Sequence, residues 1–571
     1  MRRYLMCLKG SLLTLSTLTL ALAASGCSLI VDSGKDQCAT DTDCKQFGSA
    51  QCVSGVCIAV DAAIAPPDMS TPDLSVPDMV IVPDLIIPTD FTGVTLDLTP
   101  VDLSMPDYAQ PPDFMAPPGP PGCYAGVLGP NSTNDQIMNA CSYAQNLPFD
   151  NCGRLGLCGP VDGGLPVSPP ADLGPSPQVV NPIPTPTVNC RDIAPSTPLF
   201  ATGSSNHPPL VAALAPLLAK ANPPYTLVWE TTNSCTGVST VFSTDPTKQV
   251  IKNVPASGST AANYAYITNP DGSKAYCLLD PTGTPVDVGQ SDVYSTTCAS
   301  TSTPGSGIGE YNGPIQAIVF AVNANSSENG ISAEAAHMLY GNGGSMGTIP
   351  PWTDPTYYMA RASSTGTNQL VSRAIGISPT AWWGLDRRTA ANLATVLIAV
   401  PQSNQSEAIG VLSNDVADQQ RGEIRSLFFQ SSRQLTGYVP DSTVNNFDKQ
   451  NVRDGHYTIW GPVHYYTSLT AGVPNNPGAS ALFNLITAPK PSKPLLNAII
   501  DAGYVPPCAM KVQRTSEMGP LSVYTPPFGC GCYFETYTNS GEVPAHCKTC
   551  VTSQDCPTST PACNNGFCEI K

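Results

Sequence analysis

The sequence predicts an α/β fold, flanked by small disulfide-rich modules and joined to them by Pro/Asp-rich linkers. Three observations carry this. Between about Cys190 and Glu535, short apolar runs alternate with helical patterns, as when strands and helices share one sheet. Cysteines, 22 in all, gather near both ends of the 571-residue chain. Many of the 59 prolines fall in stretches that neither helix nor sheet tolerates. With Lys+Arg 26 against Asp+Glu 43, the net charge is -17. That balance excludes a nucleic-acid binder, which needs a basic footprint, and an adhesive folded face toward anionic lipid. So many cysteines fit an oxidising compartment.

Residues 1–26 read as a signal peptide. Arg2, Arg3 and Lys9 precede a Leu-rich stretch, Leu12 to Leu22, and then Ala23-Ala24-Ser25-Gly26-Cys27. The apolar core is short for a membrane span. The Gly-Cys ending resembles a bacterial lipobox, which implies lipidation of Cys27 and an outer-membrane anchor by Gram-negative sorting.

An internal repeat then occupies both termini. Cys38, Cys44, Cys52 and Cys57 are spaced C-x5-C-x7-C-x4-C, and Cys550, Cys556, Cys563 and Cys568 are spaced C-x5-C-x6-C-x4-C. Each copy carries Asp before its second cysteine (Asp43, Asp555) and Gly two residues before its last (Gly55, Gly566). Units this small have no core, so two local disulfides are expected to staple each. Zinc is the competing reading near His546-Cys547, but the remaining spacing fits no common zinc pattern. The modules span 27–60 and 536–571. Cys123, Cys141, Cys152 and Cys158 suggest a further Cys-rich region over 122–160.

Two linkers separate these parts, 61–121 and 161–189. The first holds ten Asp, no Glu and no Lys or Arg, with Pro at close intervals. Such a segment reads as an extended, solvated stalk, and the part from Pro66 to Pro121 would reach at most about 170 Å if wholly polyproline-like.

The domain at 190–535 carries the candidate chemistry. Leu227 to Trp229, Ile315 to Val322 and Ala408 to Leu412 read as buried strands. Leu210, Val211, Leu214, Leu217 and Leu218 share a helical face, with Pro216 inside it, and Leu370, Val371, Ala374 and Ile375 mark another helix. Three loops offer hydroxyls and Gly-exposed amides at helix starts: Gly203-Ser204-Ser205-Asn206, Asn233-Ser234-Cys235-Thr236-Gly237 and Arg361-Ala362-Ser363-Ser364-Thr365-Gly366-Thr367. Free N–H groups and the partial positive charge there suit an anion, although Ser, Thr and Asn at such positions are usually plain caps.

The order of these loops resembles the periplasmic phosphate-binding proteins of ABC importers over roughly Leu199 to Lys511. Val286-Asp287-Val288-Gly289-Gln290-Ser291-Asp292 resembles that family's acidic loop. QAIVFAVN, SAEAAHMLYG, Trp352 and EAIGVLSNDVAD follow in the same order. The resemblance implies a type 2 periplasmic-binding fold, whose two α/β lobes close on phosphate or a similar tetrahedral oxyanion. It implies no catalysis, no cofactor or metal, and an ABC permease as partner. Matched residue by residue, the ligand contacts would be Ser205, Asn206, Ser234, Asp292, Arg361, Thr365, Gly366 and Thr367. Ser363 stands where the family often has Asp, which leaves open what orients Arg361. Cys235, Cys277 and Cys298 read as bridged rather than reactive.

Two other readings compete. One is a surface-displayed structural or interaction lipoprotein without a ligand. The other is a serine hydrolase built on Gly343-Gly344-Ser345-Met346-Gly347, with Ser345 as nucleophile and His456 or His464 as base. Its elbow needs a strand before the serine, and a helical pattern stands there instead. The aromatic run His456 to Trp460, then His464 to Tyr466, reads as a packed strand pair, and Trp382-Trp383 as core or rim.

Overall fold

The computed structural model describes residues 50–53, 56–59, 119–151, 183–255, 262–343 and 349–571. The chain divides into two compact units, 1–104 and 105–571. In the first, Ala50–Val53 and Val56–Ala59 form an antiparallel hairpin with Cys52 opposite Cys57. The signal, Cys27, Cys38, Cys44, Cys152, Cys158, Ser345 and nearly all of both linkers lie outside the described residues.

The second unit is built on one large mixed sheet. Its strands and helices are β1 (Thr197–Gly203), α1 (Pro208–Ala219), β2 (Tyr225–Thr231), α2 (Ser234–Phe242), β3 (Ala265–Thr268), β4 (Lys274–Cys277), β5 (Val288–Ser291) and β6 (Ile308–Asn323). Then come α3 (Ala333–Asn342), β7 (Tyr358–Ala360), α4 (Gly366–Ile375), β8 (Leu385–Asp386), α5 (Ala390–Ile398), β9 (Ile409–Ser413) and α6 (Asn414–Gln419). Last are β10 (Trp460–Thr470), α7 (Pro477–Ile486), α8 (Lys493–Asp501) and α9 (Gly531–Thr538). The strand order is β8-β7-β9-β6-β10-β5-β1-β2-β3-β4, with Ile424–Ser426 beside β6 and Val473–Pro474 beside β10. β5, β1 and β2 run parallel to one another, as do β9, β7 and β8. β10 lies antiparallel to both β5 and β6 and joins the two sets.

Local sequence explains the helix starts. Pro208 and Pro209 open α1, where a missing N–H costs nothing. Pro216 is taken up in the last turn of that helix. Asn233 caps α2 through Thr236 N–H, and Thr365 caps α4 through Asn368 N–H. The hydrophobic core falls into two main clusters. One gathers β6, β7, β9, α3 and α5; the other gathers β1, β2, α1, α7 and α8. β10 enters the first at Trp460 and the second at Val463 and Tyr465. A smaller cluster surrounds the Cys190–Cys277 disulfide.

The structure corrects several expectations. The segment from Cys123 is no separate knot. Cys123 bonds Cys141, Ile137 and Met138 enter the first core cluster, and Asn146–Leu147 pairs with Gly437–Tyr438. Val188 and Asn189, expected in the linker, already pair with Leu278. The boundary expected after residue 535 falls inside α9. His456 to Tyr466 is not a strand pair: β10 begins at Trp460 and takes in His464 to Tyr466, while His456 bonds Asp454 and the Ala140 carbonyl ahead of it. The terminal repeat does hold two local bridges, Cys550–Cys563 and Cys556–Cys568. Its hairpin sets Cys563 opposite Cys568, the register of Cys52 and Cys57. Trp382 is fully buried against Tyr340.

Candidate oxyanion site

The carboxyl ends of the parallel strands converge on one place, which is where ligands sit in open α/β sheets. β1 delivers Ser204, Ser205 and Asn206. β5 delivers Asp292, β7 delivers Arg361, and α2 and α4 begin there at Ser234 and Gly366. Seven of the eight residues singled out from sequence are buried, and Ser205 is half-buried.

Their contacts form one network. Ser204 Oγ donates to Asp292 Oδ2. Asn206 Nδ2 donates to the same oxygen at 3.1 Å and to Thr367 Oγ1 at 2.9 Å. Gln290 Nε2 donates to Asp292 Oδ1 at 2.9 Å. Ser234 Oγ accepts from Asp292 N–H at 3.2 Å and from Gly366 N–H at 3.1 Å, and so ties three loops together. Arg361 donates to Ser205 Oγ at 2.7 Å and, more weakly, to Asn206 Oδ1 at 3.5 Å. Its Nε has no hydrogen-bond partner among the described residues, although the side chain is 1 % exposed.

Two close approaches demand glycine. A Cβ at Gly366 would stand 2.5 Å from Ser234 Oγ and 2.7 Å from Asp292 Cβ. A Cβ at Gly237 would stand 2.3 Å from the Gln290 carbonyl oxygen. Both positions draw a helix start against the acidic loop.

Burial sets the electrostatics. It lowers Arg361 to about 10, against the pull of Asp386 and Asp292. It raises the Asp292 carboxyl, while hydrogen bonds from Ser204, Gln290 and Asn206 and the charge of Arg361 favour ionisation. Asp386 acts on Arg361 through its charge alone; its carboxylate accepts from Ala362 N–H at 3.1 Å and from Arg388 N–H at 2.8 Å. The Thr365 hydroxyl is engaged locally, donating to the Ala362 carbonyl and capping α4. Cys235, beside Ser234, bonds Cys298 beyond the acidic loop. Ahead of Ser345 the chain is α3, closed by Gly343 at φ 64°, and not a strand.

Sequence reasoning missed Ser204 and Gln290. Both lay in quoted motifs, but neither has meaning until β1 and β5 pair, with Val288 opposite Ala201 and Gly289 opposite Thr202.

No family model matches the chain, and no curated protein does. Solved structures similar to it include an ABC-type phosphate transport receptor from Vibrio cholerae, at 13% identity and a TM-score of 0.34, covering 55% of this chain and 100% of that one. A phosphate binding protein from Stenotrophomonas maltophilia is 11% identical with a TM-score of 0.35, over 55% and 91%. The reduced OxyR regulatory domain from Pseudomonas aeruginosa is 9% identical with a TM-score of 0.28, over 51% and 96%. Transport receptors and a regulatory domain share the likeness, so it assigns no ligand to this chain.

Proposed function

We propose that this chain is an extracytoplasmic lipoprotein that binds phosphate, or a similar tetrahedral oxyanion, without chemical turnover. The two core clusters are the bodies of two lobes, and β6 and β10 are the strands that cross between them. The observation that supports this best is the buried Arg361, whose Nε has no partner among the described residues, beside Asp292 and two helix starts. A buried guanidinium with an unused donor is costly unless an anion completes it. The amides opening α2 and α4 would add partial positive charge. Since the site side chains are enclosed, the lobes must part for the ligand to enter. Lipid at Cys27 would hold the protein at the outer membrane, and an ABC permease would be its partner in uptake.

Calorimetry with phosphate on the full chain tests this reading. Wild type should bind one equivalent, and Arg361→Ala should weaken binding by at least a hundredfold, on the order of 3 kcal/mol for a desolvated charge-assisted contact. Equal phosphate binding by the two proteins would remove Arg361 from the site. No binding by wild type would return the chain to a structural lipoprotein.

A further inference from the structure

Gln290 lies in β5, is fully buried, and stands opposite Tyr465 of β10. Its side chain joins two parts of the candidate site. Oε1 accepts from Ser204 N–H at 2.7 Å, and Nε2 donates to Asp292 Oδ1 at 2.9 Å. A backbone N–H can only donate, so the first bond fixes which end of the amide is oxygen, and the second bond is then a donation to the carboxylate. The packing is as close as the bonding. A Cβ at Gly203 would stand 2.6 Å from Oε1 and 2.4 Å from the Gln290 carbonyl oxygen, so glycine lets β1 end against this side chain.

The other oxygen of Asp292 also meets donors. Ser204 Oγ accepts from Asn206 N–H at 3.1 Å and gives its own hydrogen to Asp292 Oδ2. Asn206 turns its Oδ1 to Arg361, which can only donate, and so turns Nδ2 to Asp292 Oδ2. On Oδ1, Gln290 is the one donor among the described residues. Hydrogen bonds given to the charged form favour that form, so these donors oppose a proton on Asp292.

We propose that Gln290 is a positioning residue of the oxyanion site: it keeps the Asp292 carboxylate unprotonated and aimed, and so gives the advantage to an oxyanion that brings its own proton. The inference rests on the proposed function and names what enforces its selectivity. Gln290 acts through Asp292 and through the Ser204 amide, without touching the ligand.

The test is calorimetry of the full chain with phosphate and with sulfate, at pH 5 and pH 8, comparing wild type with Gln290→Glu and Gln290→Met. In Gln290→Glu the protonated acid can replace the amide: its carbonyl oxygen accepts from Ser204 N–H and its O–H donates to Asp292. Ionised, it sets a second carboxylate against Asp292 and offers no donor. Its phosphate affinity should therefore lie within threefold of wild type at pH 5 and fall at least thirtyfold below it at pH 8. Gln290→Met keeps the length of the side chain and makes neither bond. It should bind phosphate at least tenfold more weakly at both pH values. Its preference for phosphate over sulfate at pH 5 should shrink at least threefold, because Asp292 without its donor takes a proton and can give it to sulfate. The other ionisable groups near β5 are Arg361 and Asp386 across the site, Asp287 ahead of the strand, Glu230 on β2, His207 before α1, His464 on β10 and Glu310 on β6. Wild type and variants share them all, so the affinity ratio at each pH isolates residue 290. A role in packing alone would give each variant the same loss at both pH values and an unchanged phosphate-to-sulfate ratio. That result, or wild-type affinity in both variants, would overturn the proposal while the oxyanion reading stood. If one variant does not fold, the other decides: Gln290→Glu by its pH dependence, Gln290→Met by its phosphate-to-sulfate ratio. If wild type binds no phosphate, the oxyanion reading fails and the role of Gln290 fails with it.

Discussion

Asp292 sets a charge problem, because a carboxylate beside an anion repels it. The placement makes sense where the ligand has a proton to donate. Oδ2 is filled by Ser204 and Asn206, and among the described residues Oδ1 accepts only from Gln290, which leaves acceptor capacity on Oδ1. Phosphate near neutral pH carries at least one proton, and sulfate carries none. A sulfate oxygen there would meet a buried carboxylate with nothing between them, a cost of roughly 1–3 kcal/mol, or about 5- to 150-fold. Wild type should therefore prefer phosphate by at least tenfold, and Asp292→Asn should narrow that gap, because an amide can donate to an unprotonated oxygen. Calorimetry with both anions on both proteins reads this directly; equal wild-type affinities would remove the selectivity role. At this scale the sequence was informative where a residue type suffices: Arg361, Asp292 and the small or hydroxylated residues of three loops stood out as candidates, and the structure brings them together, while their contact with a ligand belongs to the proposal. Ser204 and Gln290 did not stand out, since their bonds to Asp292 and to each other arise only when β1 and β5 pair.

At the scale of elements, caps and strand runs were legible because they are local. Asn233, Thr365 and Pro208 mark helix starts by their own chemistry. The boundary expected after residue 535 was not, because the disulfides and ion pairs that cross it are pairings at a distance. α9 shows this. Cys530 at its start bonds Cys508, Cys532 bonds Cys547, and Gly529 N–H donates to the Lys571 carbonyl. Within α9, Glu535 accepts from buried Arg453 at 2.6 Å and pairs with His546 at 2.7 Å, which stitches the terminal knot to the domain. Burial alone would raise this carboxyl; His546 and Arg453 instead hold it down at about 2, against an ordinary 4.5. A carboxyl depressed in the folded state stabilises fully above its unfolded value, and the contribution fades as pH falls from about 4.5 toward 2. The whole effect is about 3 kcal/mol at most. Melting temperature should fall across that window in wild type, and the fall should be shallower in Glu535→Gln. Identical pH profiles would show that the Glu535 charge does not hold the knot.

For the whole molecule, the decisive question is what would hold an acidic protein at a membrane, as the proposed function requires. A net charge of -17 opposes adhesion to anionic lipid, and among the described residues no helix is long and apolar enough to cross a bilayer. Leu12 to Leu22 is about half the length that a span needs. Cys27, after Ala23-Ala24-Ser25-Gly26, is then the residue on which attachment would turn. One acyl chain binds reversibly, whereas a thioether-linked lipid together with amide acylation anchors stably. The mature wild-type protein should therefore partition into the detergent phase on warming Triton X-114, and Cys27→Ala should move to the aqueous phase or accumulate with its leader attached. Mass spectrometry of the N-terminal peptide distinguishes those two outcomes and reads the lipid on Cys27 directly. A Cys27→Ala protein that partitions as wild type does would place the anchor elsewhere, and the lipoprotein reading would have to be given up even if the oxyanion site stood.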